Sequence, residues 1–121
     1  MHEGGLEQKP IFCPIICDFP QGMAVALPLR LEGTSLKQLE ECYRTYYRGE
    51  TLISVSTAPE SGFLGSNAKA GRDSLEIVVC GGGDQALLVS RLDNLGKGAA
   101  GAAVQNMNLM LDLPEYTGLA L

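Results

Sequence analysis

Between residues 23 and 31, Val25, Leu27, Leu29 and Leu31 alternate with other residues and fall on one face of a predicted strand. Arg30 and Glu32 mark where that strand surfaces. Pro28 has no N–H to give to a ladder, so the strand is expected at a sheet edge or bulged there. The preceding apolar run, residues 10–19, is predicted as a first strand broken by Pro14 and Pro20. The period then changes. Leu36, Leu39, Tyr43 and Tyr46 stand at i, i+3, i+7 and i+10, one stripe of a helix. Ser35 and Gln38 have capping-box spacing at its start, and Gly49 stops it. Residues 51–56 are β-branched and read as a strand. Residues 59–73 form a long loop rich in Gly, Ser and Asn, of a length that is often functional. Two apolar runs, 74–80 and 85–92, flank Gly81-Gly82-Gly83-Asp84, which is hairpin punctuation. A helix over 97–111 comes next, with Ala100, Ala103, Met107 and Met110 on one face, and then a tail. The order β-β-α-β-β-β-α predicts an α+β fold with a mostly antiparallel mixed sheet and helices on one face.

A length of 121 residues suits one domain with one core, so residues 1–121 are expected to form a single domain. The net charge of −5, with nine Lys and Arg, argues against nucleic acid and anionic membrane surfaces. A small anionic substrate is permitted only where a few cations are focused. No run approaches the roughly 18 apolar residues of a membrane helix. Met1-His2-Glu3-Gly4-Gly5 is polar and acidic, unlike a secretory signal. Cys13 and Cys17, four apart on a strand, would lie roughly 13 Å apart, too far for one disulfide or one zinc. With Cys42 and Cys80 they are expected to be reduced, buried thiols holding no metal. Gly81-x-Gly83-x-x-Ala86 fits a dinucleotide fingerprint formally, but the next residues suit a strand. No acidic residue stands about 20 positions on to hold a ribose.

The run from Asp93 to Asn108 carries the most chemistry. Gly98, Ala99, Gly101, Ala102 and Ala103 give the first helical turns almost no bulk, so a cofactor or another backbone is expected close by. Packing on a neighbouring helix or sheet is the plain alternative. A helix start beside Lys97 suits an anion, and Asn94 and Gln105 can hydrogen-bond a carboxamide.

This run, Asp93-Asn94-Leu95-Gly96-Lys97-Gly98-Ala99-Ala100 continuing to Asn108, resembles the C-terminal signature of the N-acetyl-γ-glutamyl-phosphate reductases. Phe12-Cys13-Pro14 with Gln21-Gly22-Met23, Gly65-Ser66-Asn67, and Leu113-Pro114-Glu115-Tyr116-Thr117-Gly118-Leu119 agree with that family in order. Aspartate-semialdehyde dehydrogenases carry a similar run but diverge after Ala100. The resemblance implies a domain like the C-terminal domain of glyceraldehyde-3-phosphate dehydrogenase. It also implies an NADP-dependent, homo-oligomeric, cytoplasmic enzyme of arginine biosynthesis. In such an enzyme a Cys thiolate attacks N-acetylglutamyl phosphate, phosphate leaves, and hydride from NADPH gives N-acetylglutamate semialdehyde. The resemblance places Asn94, Lys97, Gly98 and Gln105 beside the cofactor. The family's Pro-Gly-Cys turn and His-x-Pro-Glu segment have no counterpart here, and His2 lacks that context. No catalytic residue is therefore expected in these residues, the family's NADP-binding domain is expected to lie outside them, and the chain alone is expected to be inactive. Many family members have Arg where Gln21 stands, and Gln cannot supply its charge. Gly22 reads as a turn residue, and Asn67 as either a turn residue or a ligand contact. The Gly and Ala helix face is expected to be exposed or covered by a second copy, with Met107 and Met110 packed on the sheet. The other readings are an aspartate-semialdehyde dehydrogenase domain and a non-enzymatic oligomerisation domain.

Overall fold

Four strands make one mixed sheet in the order β1-β4-β3-β2. The computed structural model describes residues 10–121. In chain order the elements are β1 (Met23–Arg30), α1 (Leu36–Tyr46), β2 (Ile53–Thr57), β3 (Leu75–Gly82), β4 (Gln85–Leu92), a π-helical turn (Gly96–Ala100) and α2 (Gly101–Met110). Strands β1, β4 and β3 are antiparallel, whereas β2 runs parallel to β3. The parallel pair explains the long stretch between them, because parallel neighbours need a crossover. The fold is α+β, as the element order predicts.

Local signals explain most of these elements. The Ser35 hydroxyl accepts from Gln38 N at 3.2 Å, and Gln38 Oε1 accepts from Ser35 N at 2.9 Å, a reciprocal capping box. The helix ends before Gly49, whose φ of +87° lies in the left-handed region. Strands β3 and β4 meet through a two-residue turn at Gly83-Asp84, so the formal dinucleotide fingerprint is a hairpin. Pro28 lies on an edge strand, where its missing N–H costs nothing. The core is built from Leu52, Ile77, Val78, Val79, Leu88 and Val89. Helix α1 packs on β2 and β3, at the far side of the sheet from β1. The register puts Leu27 opposite Leu88 and Leu88 opposite Val79, one row across the sheet. That row is buried on β3 and β4 but open on β1, where Leu27 is 52% exposed.

Three expectations are corrected. Residues 10–19 form no strand. Pro14 and Pro20 each remove a ladder donor, and Gly22, at a φ of +110°, turns the chain before β1 begins. Their apolar side chains are therefore exposed, as Ile11, Phe12 and Ile16 show. In consequence Cys13 and Cys17 are exposed rather than buried, as is Cys42; Cys80 is half-buried, and all four thiols are unpaired.

The helix after β4 begins as a π-turn, with Gly98 N–H donating to Asp93 O and Ala100 N–H to Leu95 O. Each bond spans five residues rather than four, and one extra residue rotates the remainder of the helix by roughly 100°. Met107 and Met110 face solvent together with Ala100 and Ala103 of the same stripe, Met110 at 85% exposure. Asn108 takes the inward position at 2% exposure, donating from Nδ2 to Glu115 O at 3.0 Å and Thr117 O at 2.9 Å. Replacing Asn108 by Ala leaves both carbonyls without that donor. It is expected to cost about 2 kcal/mol in urea denaturation and to open residues 112–118 to protease; a loss under about 0.5 kcal/mol would show that the tail docks independently of this side chain.

Candidate functional site

Three segments far apart in sequence converge at the start of β1 and the end of β4. Asn94 Oδ1 accepts from Gly22 N–H at 2.8 Å, across 72 residues. Gly22 lies so near the Gly65-Ser66-Asn67 turn that a side chain on it would stand 2.5 Å from Asn67 Cα and 3.1 Å from Ser66 O. The glycine is thus required twice, by its φ and by its neighbour. Arg91 holds the same turn from the sheet, its Nη1 donating to Gly65 O at 3.2 Å. Its Nε and Nη2 both donate to Glu76 Oε2, and Glu76 Oε1 accepts from Ser56 Oγ at 2.7 Å. Partial burial pushes the Glu76 carboxyl up, but the Ser56 hydroxyl and the Arg91 guanidinium outweigh it and hold it below the usual range. A groove of roughly 420 Å³ beside this junction is lined by Ile16, Phe19, Gly22, Met23, Ser66 and Asn94.

Asp93 organises the turn into the helix. It is 1% exposed and accepts from three backbone N–H groups. Gly71 N–H reaches Oδ2, while Leu95 N–H at 2.7 Å and Gly96 N–H at 2.9 Å reach Oδ1. The Gly71 bond, then Gly96 and Leu95, hold this carboxyl below the ordinary value against the opposing effect of burial. Asp73 packs behind the same turn, so that side chains at Gly96 and Gly101 would collide with its carboxylate. The small residues there are matched by close approach from this chain's own backbone and Asp73.

The four residues singled out from the sequence fall into separate surroundings. Lys97 and Gln105 meet, the Lys97 ammonium donating to Gln105 Oε1. Gln105 Nε2 in turn donates to Glu115 Oε2 at 2.9 Å. Asn94 is directed to Gly22 instead, and its Nδ2 makes no hydrogen bond to another described residue. Gly98 is exposed; a side chain there would stand 3.1 Å from Asp93 O and 3.3 Å from Leu92 Cδ1. Gln21 is exposed in the turn before Gly22, and His2 lies outside the described residues. Asp93, Arg91 and Glu76 join the site although the sequence reading does not single them out. A carboxylate two and three residues before free N–H groups was a legible signal for Asp93. The pairing of Glu76 with Arg91 needed the strand register. Among the described residues no group of three His, Cys, Asp or Glu is placed to hold a metal ion, and no helix is long and apolar enough to cross a membrane.

A mixed sheet carrying α1 is joined through a Gly-rich π-turn to a second helix and a docked tail, and together they make an α+β domain. Residues 2–94 match the family model of the semialdehyde dehydrogenase dimerisation domain, and the chain belongs to that family. It is 42% identical over 98% of its length to N-acetyl-γ-glutamyl-phosphate reductase 2 of Nostoc sp., covering 41% of that protein. It is 41% identical over 98% of its length to the corresponding reductase of Trichormus variabilis. With that of Brucella anthropi the figures are 45% identity over 89% of this chain and 38% of the relative. The chain therefore spans about two-fifths of the length of these relatives.

Proposed function

We propose that this chain serves, as one part of the whole enzyme, an NADP-dependent N-acetyl-γ-glutamyl-phosphate reductase of the cytoplasm. That enzyme reduces N-acetylglutamyl phosphate to N-acetylglutamate semialdehyde in arginine biosynthesis. The observation that carries this reading is identity of 41–45% to reductases of that name over 89–98% of the chain. In this reading residues 1–121 are a single dimerisation-type domain, the cofactor-binding domain lies outside them, and two copies associate.

The polar groups fit an anionic dinucleotide. Lys97 offers its ammonium N–H groups not directed to Gln105, and Asn94 offers Nδ2 to a carboxamide. When bound, the dinucleotide supplies hydride. The contribution of this chain would be to hold it: Lys97 would offset phosphate charge, Asn94 would orient the amide, and the exposed Gly98 and Ala99 would admit close approach. In this reading the nucleophilic thiolate lies outside residues 1–121, and the exposed Cys13, Cys17 and Cys42 and the half-buried Cys80 are not its counterparts.

The 121-residue chain alone is expected to give no turnover with N-acetylglutamate semialdehyde, phosphate and NADP, and to sediment as a dimer or larger species. Activity that survives repurification would refute the first expectation, and a monomer throughout the concentration range would refute the second. The substrate assignment is tested by a chimaera in which residues 10–121 replace the matching segment of the Nostoc sp. reductase. It should reduce N-acetylglutamyl phosphate and not aspartyl phosphate; the reverse preference would support the aspartate-semialdehyde dehydrogenase reading.

A further inference from the structure

Lys97 and Glu115 carry opposite charges, yet they do not form a salt bridge; the Gln105 amide stands between them. That arrangement has a direction. The Gln105 carbonyl faces the ammonium and its NH₂ faces the carboxylate. A flipped amide would set NH₂ against ammonium and oxygen against carboxylate, losing two charge-assisted hydrogen bonds at once. Glu115 is half-buried within the tail, whose Glu115 and Thr117 carbonyls are gripped by Asn108. The tail is pinned further on, where Asp73 and Ala120 exchange hydrogen bonds and Arg72 reaches Leu121 O. The backbone that carries Glu115 is thus fixed by the fold, whereas a lysine side chain on its own has many rotamers to lose.

We infer that Glu115 is a positioning residue: through Gln105 it holds the Lys97 ammonium in one place while leaving its remaining N–H groups free for a phosphate-bearing ligand. A direct Lys97–Glu115 pair would neutralise the lysine and occupy those donors. The interposed amide orders the cation and lets it keep its charge for the ligand. This inference rests on the proposed cofactor-facing role of Lys97, and it adds Glu115 and the tail to that role.

Electrostatics and positioning predict opposite signs for one substitution, which makes the inference testable on the chain itself. Removing a negative charge near Lys97 should by itself tighten anion binding. Losing the ordering of Lys97 should weaken it. Inorganic pyrophosphate is titrated while the Lys97 ¹³Cε and the Gln105 side-chain amide signals are followed by NMR. Glu115→Gln keeps a hydrogen-bond acceptor without the charge and is expected to bind as well as wild type or better. Glu115→Leu removes both and is expected to bind roughly five-fold more weakly than Glu115→Gln, with faster exchange of the Gln105 amide protons. Equal affinity of the two variants, or a Gln105 amide unchanged in Glu115→Leu, overturns the positioning role. Lys97→Met reports separately on the underlying reading: it should abolish the response. Unaltered binding in that variant, or no response in wild type, overturns the anion-binding role of Lys97.

Discussion

Replacing Gly22 by Ala is expected to destabilise the domain by about 3 kcal/mol, far beyond what one methyl group usually does at a surface turn. Two independent costs add. A non-glycine residue at a φ of +110° pays backbone strain of about 1–3 kcal/mol. The new carbon would also stand 2.5 Å from the Asn67 main chain, an overlap that no side-chain rotation relieves. Relief by backbone movement would lengthen the Gly22–Asn94 hydrogen bond and pull β1 away from the end of β4. Urea denaturation of the variant should show the loss, and the Asn94 side-chain amide should shift in its spectrum. A change below about 1 kcal/mol would mean that the Gly65-Ser66-Asn67 turn yields freely and does not clamp this junction.

Asp93→Asn is expected to lower the melting temperature by about 10 °C at neutral pH. The carboxylate uses both oxygens, one for Gly71 N–H and the other for Leu95 and Gly96 N–H. An asparagine keeps one oxygen and turns an NH₂ toward a donor, leaving buried N–H groups unmet. The pH dependence has a definite sign. The Asp93 carboxyl is held below its ordinary value by these bonds, so its stabilisation is complete above the unfolded value near 3.9. It is lost as the pH falls from there through the lower, folded value. The difference in melting temperature between wild type and Asp93→Asn should therefore be greatest at neutral pH and shrink below about pH 4. A difference that stays constant from pH 7 to pH 3 would show that the carboxylate charge plays no part in holding the π-turn.

Local patterns in the sequence were sufficient wherever the physics is local. The capping box at Ser35 and Gln38, a hairpin within Gly81-Gly82-Gly83-Asp84 and the placing of Pro28 at an edge or a bulge involve neighbours in sequence or the chemistry of a single residue. The ordered motifs from Phe12 to Leu119 likewise indicated the family without any coordinates. What joins those motifs was not legible, because it depends on register and on which segments the fold brings together. Arg91 finds Glu76 only once β3 and β4 are aligned, and Gly22 finds Asn94 only across the finished sheet. The run at 10–19 is apolar enough for a strand, but a strand also needs a ladder partner, and composition does not supply one. The periodicity of the helix after β4 picked out one stripe but not its direction: Ala100, Ala103, Met107 and Met110 all face outward, whereas Gly101 is buried against Asp73 and Asn108 against the tail, on a helix entered through a π-turn. That turn arises where Asp93 gathers the N–H groups of Gly71, Leu95 and Gly96, a set drawn from two parts of the chain. The residue types at Lys97, Gln105 and Glu115 were therefore readable in advance, but their order as a charged chain with a fixed direction was decided only by the tail folding back on α2.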